Sequence, residues 1–320
     1  MSEIRYDWTR EEIQKIYNRP LLELVHSAAI AHRENHNASE MQVSSLLSVK
    51  TGGCSEDCKY CSQSSLYDTE TDDQPMMAIE AVIEAAKRAK ENGSTRFCMG
   101  TAWREIPDSQ MQNITSMIEA VRNIGLEVCA TMGMVSDAQA IELKNAGLSA
   151  YNHNLDSGEK FYENIISTRS YGERLETIRR LQEAGIGVCS GGIIGMGEEP
   201  VDRIDMLFHL STMPTHPESV PINILVPVEG TPIEKDNSFN FWDLLKTVAT
   251  ARILMPKSFV RLSAGRSELS QVEQAFCFMA GANSVFAGEK LLTTANIEED
   301  RDKELFLLLG LKTRNPVLTD

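Results

Sequence analysis

Residues 54–61 read CSEDCKYC, which puts three thiols at C-x3-C-x2-C spacing on one short stretch, with TGG immediately before them. Thiolates are soft ligands and nucleophiles, so cysteines this close together point to a metal centre or to redox chemistry. A structural zinc site closes with four ligands, and a C-x-x-C redox pair needs two. Iron–sulfur clusters are held by cysteine thiolates, usually four. A loop offering three would leave one iron open to a small molecule, so the residues alone suggest an iron–sulfur enzyme whose cluster binds its cosubstrate.

The other cysteines are Cys98, Cys129, Cys189 and Cys277. The first three fall in predicted strands, where side chains alternate between two faces. On several strands the face that carries them is polar. It holds Arg96 and Cys98 on the second strand, Cys129 and Thr131 on the third, and Asn152, Asn154 and Asp156 on the fourth. Cys189 follows on the fifth, Asn223 on the sixth, and Arg261 and Ser263 on the seventh. One cysteine in a strand is a small buried hydrophobe; three at matching depth, facing an arginine, form a set. Unpaired polar groups are costly in a core, so these strands are expected to enclose a ligand. Cys277, in EQAFCFMAG, reads as a packing residue. His153 has the opposite parity to its asparagine neighbours and is expected to pack outward.

The elements that must position these residues repeat one phrase: an amphipathic helix ending in Gly, then a short β-rich run. It occurs at 78–93, 109–125, 136–147, 171–185 and 270–281. Gly after the last helical residue tolerates the left-handed conformation that ends a helix. Ser109 with Gln112, and Ser136 with Gln139, fit capping boxes. With the runs at 41–53, 219–227 and 259–266, eight strand candidates alternate with helices. That alternation predicts a parallel sheet, and eight units predict an α/β fold of the TIM type, a (β/α)8 barrel; an open doubly wound sheet is the alternative. Residues 1–40 read as an N-terminal helical extension, 41–297 as the barrel, and 298–320 as a C-terminal extension. The glycine-rich SGGIIGMGE (190–198) does not open a helix as a dinucleotide fingerprint does. It reads as a flat strand end that a ligand approaches closely.

Among 320 residues the net charge is -15, which argues against nucleic acid and anionic membrane surfaces as partners. The N-terminus has no apolar signal-like run, and no stretch approaches the ~18 apolar residues of a membrane span. A cytoplasmic protein is expected, whose seven cysteines are ligands or packing groups and not disulfides.

The triad, with Tyr60 before its last cysteine, resembles the mark of the radical S-adenosylmethionine superfamily. Within it, TGGCSEDCKYCSQSS, STRFCMGTAW, YNHNLDS, VCSGGIIGMGE, ESVPINILVPVEGTP and VRLSAGR resemble the biotin synthase family over nearly the whole chain. The resemblance implies that Cys54, Cys58 and Cys61 ligate a 4Fe-4S cluster whose open iron chelates S-adenosylmethionine. It implies a 2Fe-2S cluster on Cys98, Cys129, Cys189 and Arg261, which supplies sulfur for insertion into dethiobiotin. Tyr60, Asn154, Asp156 and Arg174 would bind S-adenosylmethionine. Asn152, Asn154 and Asn223 would meet the ureido ring of dethiobiotin, where amides offer both donor and acceptor. Guanidinium is normally fully protonated, so Arg261 would be a weak ligand, suited to a cluster that is dismantled. A flavodoxin-type electron donor and a homodimer are likewise implied. The alternatives are another radical enzyme, or an iron–sulfur scaffold or redox sensor without catalysis. Lipoyl synthases carry a second N-terminal cysteine triad, and residues 1–53 hold no cysteine.

Overall fold

A computed structural model describes residues 4–235, 239–288, 290–297 and 299–317. Residue 298, the expected start of the C-terminal extension, lies outside them. In chain order the elements are helices α1 (Arg10–Tyr17) and α2 (Leu21–Asn35), strand β1 (Glu40–Lys50), α3 (Ile79–Glu91), β2 (Arg96–Thr101), α4 (Met111–Asn123) and β3 (Glu127–Thr131). Then come α5 (Asp137–Asn145), β4 (Ala150–Asn152), α6 (Glu159–Ile165), α7 (Tyr171–Glu183), β5 (Gly187–Cys189), β6 (Gly192–Ile194), α8 (Pro200–Ser211) and β7 (Ser219–Ile224). The chain continues through α9 (Phe241–Leu254), β8 (Phe259–Leu262), α10 (Gln271–Met279), β9 (Ala282–Ala287), a hairpin β10 (Lys290–Leu291) and β11 (Thr294–Ala295), α11 (Glu299–Leu309) and β12 (Lys312–Thr313).

All the barrel pairings are parallel, and β1 pairs with β9 (Gln42 opposite Ser284) to close the cylinder. β5 and β6 share one position, interrupted at residues 190–191, so nine strands fill the eight places of a (β/α)8 barrel. The repeated phrase in the sequence is the physical cause. Each of the five helix-ending glycines, Gly93, Gly125, Gly147, Gly185 and Gly281, has φ between 73° and 100°. A side chain at Gly281 would also meet Arg252 Cγ at 2.6 Å. Ser136 forms its capping box with Gln139. Ser109 does not: it sits in a 3-10 turn at 108–110, and α4 starts after it at Met111 without a side-chain cap. Pro107 sets that turn early, because proline fixes φ and tolerates only the first turn of a helix.

Helices α1 and α2 pack on α8 and α9, and β12 pairs with the start of β1. Where α2 ends, the fully buried Arg252 donates to the carbonyls of Ser258 (2.6 Å), Gly281 (2.8 Å) and Pro256 (2.9 Å) and to Asn283 Oδ1 (2.8 Å). Its Nη1 lies 3.0 Å from His36 Nε2, a nitrogen that can accept only in the neutral ring. Burial and then the Arg252 charge hold His36 at about 4 and His32 at about 3. Both values lie below the ordinary 6.5, so the unfolded chain binds more protons at mildly acid pH. The stability these rings contribute is present above about 6.5 and is lost as pH falls towards 4. The denaturant midpoint is expected to be lower at pH 5 than at pH 7.5, and His36→Gln to shrink that difference. An unchanged pH dependence in the variant would count against this account.

Candidate functional site

The cysteine loop leaves the C-terminal end of β1, the face on which barrel enzymes build their sites. Gly52 and Gly53 both have positive φ (72° and 67°), and a side chain on either would strike residues 72–73, which fold back over the turn. The TGG before the triad is therefore a steric requirement. Cys54 forms a bridge with Ser64, with Cys54 N donating to Gln63 O (2.9 Å) and Ser65 N to Cys54 O (2.7 Å). Cys61 N donates to Cys58 O (2.9 Å), closing the second half of the loop. Burial pushes the Cys54 thiol up, that of Cys58 up to about 12 and that of Cys61 up to about 11. Bare thiols here are protonated, and a bound metal would deprotonate them outright.

The residues between the cysteines fasten this loop to the segment joining α6 and α7. Asp57 accepts from the backbone of Ser167 (2.9 Å) and Thr168 (3.1 Å), bonds that hold its carboxyl down at about 2 against the opposing effect of burial. Glu56, 3% exposed, accepts from Thr168 Oγ1 (2.5 Å) and from Arg104 (2.8 Å), which also pairs with Glu173 (3.0 Å).

Above the barrel interior lies a cavity of about 270 Å³. Its wall includes Tyr60 and Cys61 of the triad loop, Cys98 and Cys129 below, and Asn152, Asn154, Asp156, Asn223 and Arg261 around it. Leu291, Leu292, Thr293 and Thr294 of the β10–β11 hairpin cover the other side, and Ser62 Oγ lies 2.9 Å from Thr293 Oγ1, joining hairpin to triad loop. The strand parity read from the sequence is what the cavity uses. His153 is buried outside it, with Nε2 unpartnered, and Cys277 is buried in the apolar core.

At the cavity floor Cys98 and Cys129 stand opposite each other on β2 and β3, and the Cys129 thiol contacts both Cys98 and Cys189. Cys189 lies just behind the wall, fully buried. The Cys129 contact lowers the Cys98 thiol and raises that of Cys189. Arg261, 1% exposed, donates to Ser284 Oγ (2.8 Å), Gln42 Oε1 (3.0 Å) and Ser44 Oγ (3.2 Å) and lies 4.6 Å from the centre of the Phe286 ring. Its hydrogen-bond partners are all neutral. The sequence did not single these partners out, although Ser44, Gln42 and Ser284 lie on inward positions of the adjoining strands.

Arg96 differs. It pairs with Glu127 (2.7 Å) and Glu218, and its Nη1 lies 3.8 Å from Cys189 Sγ. Glu127 also accepts from Arg314 Nη2 and from Val317 N, each at 2.7 Å, so this network closes the barrel base onto the C-terminal segment.

On the opposite side of the cavity Asp156, at φ 67°, accepts from Tyr60 OH (2.8 Å) and pairs with Arg174 (2.5 Å). Arg174 is 4% exposed and outside the cavity wall; it also donates to Asn154 O (2.6 Å) and Tyr162 OH (2.8 Å). Asn154 Oδ1 accepts from Gly191 N (3.3 Å), and Asn223 bridges Gly192 O (3.0 Å) and Ala264 N (3.2 Å). Each amide keeps further donor and acceptor capacity. The glycine-rich strand end departs from expectation. What crowds Gly191 and Gly192 is protein, namely the Pro221 carbonyl, the Met206 sulfur and the Asp156 carbonyl, because the strand breaks and must pack on both neighbours.

Among the described residues no three His, Cys, Asp or Glu side chains converge on one ion. Cluster thiolates need not, since in a 4Fe-4S cluster each ligates a different iron and in a 2Fe-2S cluster no more than two share one. The donor set fits such groups: two sets of three thiols, one of them facing a buried guanidinium that has no carboxylate partner.

Barrel and triad together define a class. Residues 48–210 match the radical SAM superfamily, and residues 221–312 the biotin and thiamin synthesis associated domain. In fold alone, at 17% identity, the chain is similar to the FeFe-hydrogenase maturase HydG of Carboxydothermus hydrogenoformans (TM-score 0.82, over 96% of this chain and 76% of that one). It is similar in the same way to methylornithine synthase (TM-score 0.78, over 98% and 95%, 17% identity). In sequence it is 54% identical to the biotin synthase of Cytophaga hutchinsonii over 98% of this chain and 94% of that one. It is also 54% identical to the mitochondrial biotin synthase of Arabidopsis thaliana over 99% and 84%. The chain belongs to the biotin synthase family.

Proposed function

We propose that this chain inserts sulfur into dethiobiotin to form biotin. The observation that carries the reading is the cavity floor, where Cys98, Cys129 and Cys189 meet Arg261. A cation with only neutral hydrogen-bond partners, facing three thiols, suits an anionic sulfide-bearing group better than it suits a packed core. Cys98, Cys129, Cys189 and Arg261 would hold a 2Fe-2S cluster as the sulfur-donating substrate. Cys54, Cys58 and Cys61 would hold a 4Fe-4S cluster, with S-adenosylmethionine at its open iron. When bound, that cluster supplies an electron which turns S-adenosylmethionine into a source of a carbon radical able to take hydrogen from unactivated C–H bonds.

The chain's own residues position and seclude. Tyr60 and Asp156 border the cavity beside Cys61, and Arg174 fixes the Asp156 carboxylate from behind, so this corner would take the polar end of S-adenosylmethionine. Asn152, Asn154 and Asn223 would take the ureido ring between that corner and the floor. The β10–β11 hairpin, with Leu291 and Leu292 turned to the cavity, keeps water from the reacting carbons. A flavodoxin-type donor, a homodimer and a cytoplasmic location complete the proposal; no described helix is long and apolar enough to cross a membrane.

The test is anaerobic incubation of reconstituted protein with dethiobiotin, S-adenosylmethionine and a reducing system, followed by an assay for biotin. Biotin is expected from the wild type. Cys98→Ala is expected to keep the 4Fe-4S signature and S-adenosylmethionine cleavage while losing the 2Fe-2S signature and biotin. Biotin formation at wild-type rate by Cys98→Ala would contradict the reading.

A further inference from the structure

The base of the barrel, at the end of the strands away from the triad loop, is polar where an ordinary barrel is filled by bulky branched side chains. Strand pairing puts Gln42, Ser44, Arg96, Glu127, Ser219 and Ser284 on the inward face there. The Gln42 amide nitrogen and the Ser219 hydroxyl are buried in this layer without a hydrogen-bond partner. Buried polar groups are nearly always satisfied, so the two orphans mark a place for polar occupants and not for hydrocarbon. From solvent to the cysteines this layer is two side chains deep. Glu218, partly exposed, pairs with Arg96, and Arg96 Nη1 lies 3.8 Å from Cys189 Sγ. Gly187, two residues before Cys189 on β5, supplies the room: a Cβ there would overlap the Glu218 carboxylate.

Residues 312–317 lie across this end. Arg314 pairs with Glu127 of β3 (2.7 Å) and stands 4.6 Å from the centre of the Phe259 ring of β8, two strands on opposite sides of the barrel. The segment is held by little else. Lys312 N and Arg314 N donate to Ser39 O and Met41 O, each at 2.9 Å, and Val317 N donates to Glu127 (2.7 Å). None of residues 312–317 is buried. An element with so few buried contacts opens locally at low cost. What it covers is not expendable, because Glu127 beneath it is buried and holds Arg96, which reaches Cys189.

We propose that residues 312–317 are a movable cover over a rear port, through which iron and sulfide ions reach the Cys98, Cys129 and Cys189 site from the base of the barrel. The inference rests on the 2Fe-2S reading of that site given above, in which the cluster gives up sulfide and has to be rebuilt. The other end of the barrel is then occupied by S-adenosylmethionine and dethiobiotin, between the triad loop and the β10–β11 hairpin. Lifting the cover takes Arg314 from Glu127 and leaves two carboxylates, Glu127 and Glu218, at the mouth against the single Arg96 guanidinium. A mouth with that surplus of negative charge draws iron cations towards the thiols behind it.

The test follows loss of the 2Fe-2S signature to an iron chelator in holoenzyme carrying both clusters, anaerobically and without reductant. The 4Fe-4S signature is the internal reference, and the unfolding midpoint is measured in parallel. Each protein is run with the cavity empty and with it filled by saturating S-adenosylmethionine and dethiobiotin. In the wild type, filling the cavity is expected to leave the rate of 2Fe-2S loss unchanged. Arg314→Ala, which frees the cover from Glu127 and Phe259, and Val317→Pro, which removes the amide donor, are each expected to speed that loss about tenfold with the cavity filled, with 4Fe-4S loss unaltered. Should one variant fail to fold, the other and the wild-type comparison decide. If filling the cavity protects the 2Fe-2S cluster in wild type, ions pass by the front and the proposal fails. It fails equally if the variants lose both clusters in step with a lowered midpoint, or lose neither faster. Absence of any 2Fe-2S signal from the wild type would instead overturn the underlying reading of the lower site.

Discussion

Cys61→Ala is expected to reduce biotin formation by roughly a thousandfold or more, about 4 kcal/mol of transition-state stabilisation. Cys61 is the triad thiol that reaches the cavity wall, beside Tyr60 and opposite the asparagines. The rest of its loop is held by features that do not involve its sulfur: the Cys54–Ser64 bridge, the two glycines at positive φ and the Asp57 clamp. The fold is therefore expected to survive the change, with an unfolding midpoint close to wild type. Reconstitution should yield the 2Fe-2S signature without the 4Fe-4S one, and S-adenosylmethionine should remain uncleaved. A variant that keeps the 4Fe-4S signature and half or more of its activity would show that the triad is not the ligand set.

Glu127→Gln carries the largest expected cost to stability. Glu127 is 2% exposed and takes both Arg96 and Arg314, together with the Val317 amide. Breaking a buried ion pair by removing one charge costs about 3–5 kcal/mol, because the remaining cation stays buried. Arg96 would retain Glu218, which is itself half-buried, so the loss is expected at the lower end of that range. The midpoint of chemical unfolding reads this directly. Arg96→Met combined with Glu127→Leu, which removes both charges, is expected to recover part of the loss. If Glu127→Gln were as stable as wild type, the base of the barrel would not depend on this pair.

These two sites differ in how far the sequence disclosed them. Cys54, Cys58 and Cys61 announce themselves by spacing, and the inward parity of Cys98, Cys129, Asn152, Asn154 and Arg261 follows from strand alternation once the strands are placed. The strands of Cys98, Cys129 and Asn152 could be placed because the helix before each stops at a glycine that the backbone holds at positive φ, whereas the strand of Arg261 follows a helix that ends at Met255. Glu127 was legible on the same grounds, two residues before Cys129 on the same face, but an acidic residue at a strand's start reads as solvated until its partners are seen.

Other features depend on contacts between distant segments, which periodicity does not encode. Arg174 sits at the first turn of a helix, where arginine is ordinarily exposed, and only the fold brings Asp156 and Tyr162 to it. Nothing in the spacing of CSEDC marks its acidic pair, yet Asp57 grips a segment 110 residues further on. The covering hairpin at 290–295 is too short and irregular to carry a strand signal. Ser109 shows the opposite failure, a local pattern present in sequence whose helix begins elsewhere because Pro107 sets a different turn.

In the proposed reaction the sulfur leaves a cluster held by Cys98, Cys129, Cys189 and Arg261 and enters dethiobiotin. The most direct measurement reconstitutes the 2Fe-2S site with heavy-isotope sulfide, removes free sulfide, and weighs the biotin formed in a single turnover. Biotin carrying the heavy sulfur is the result this account expects. Biotin with sulfur of ordinary mass, formed while the labelled cluster remains intact, would contradict it.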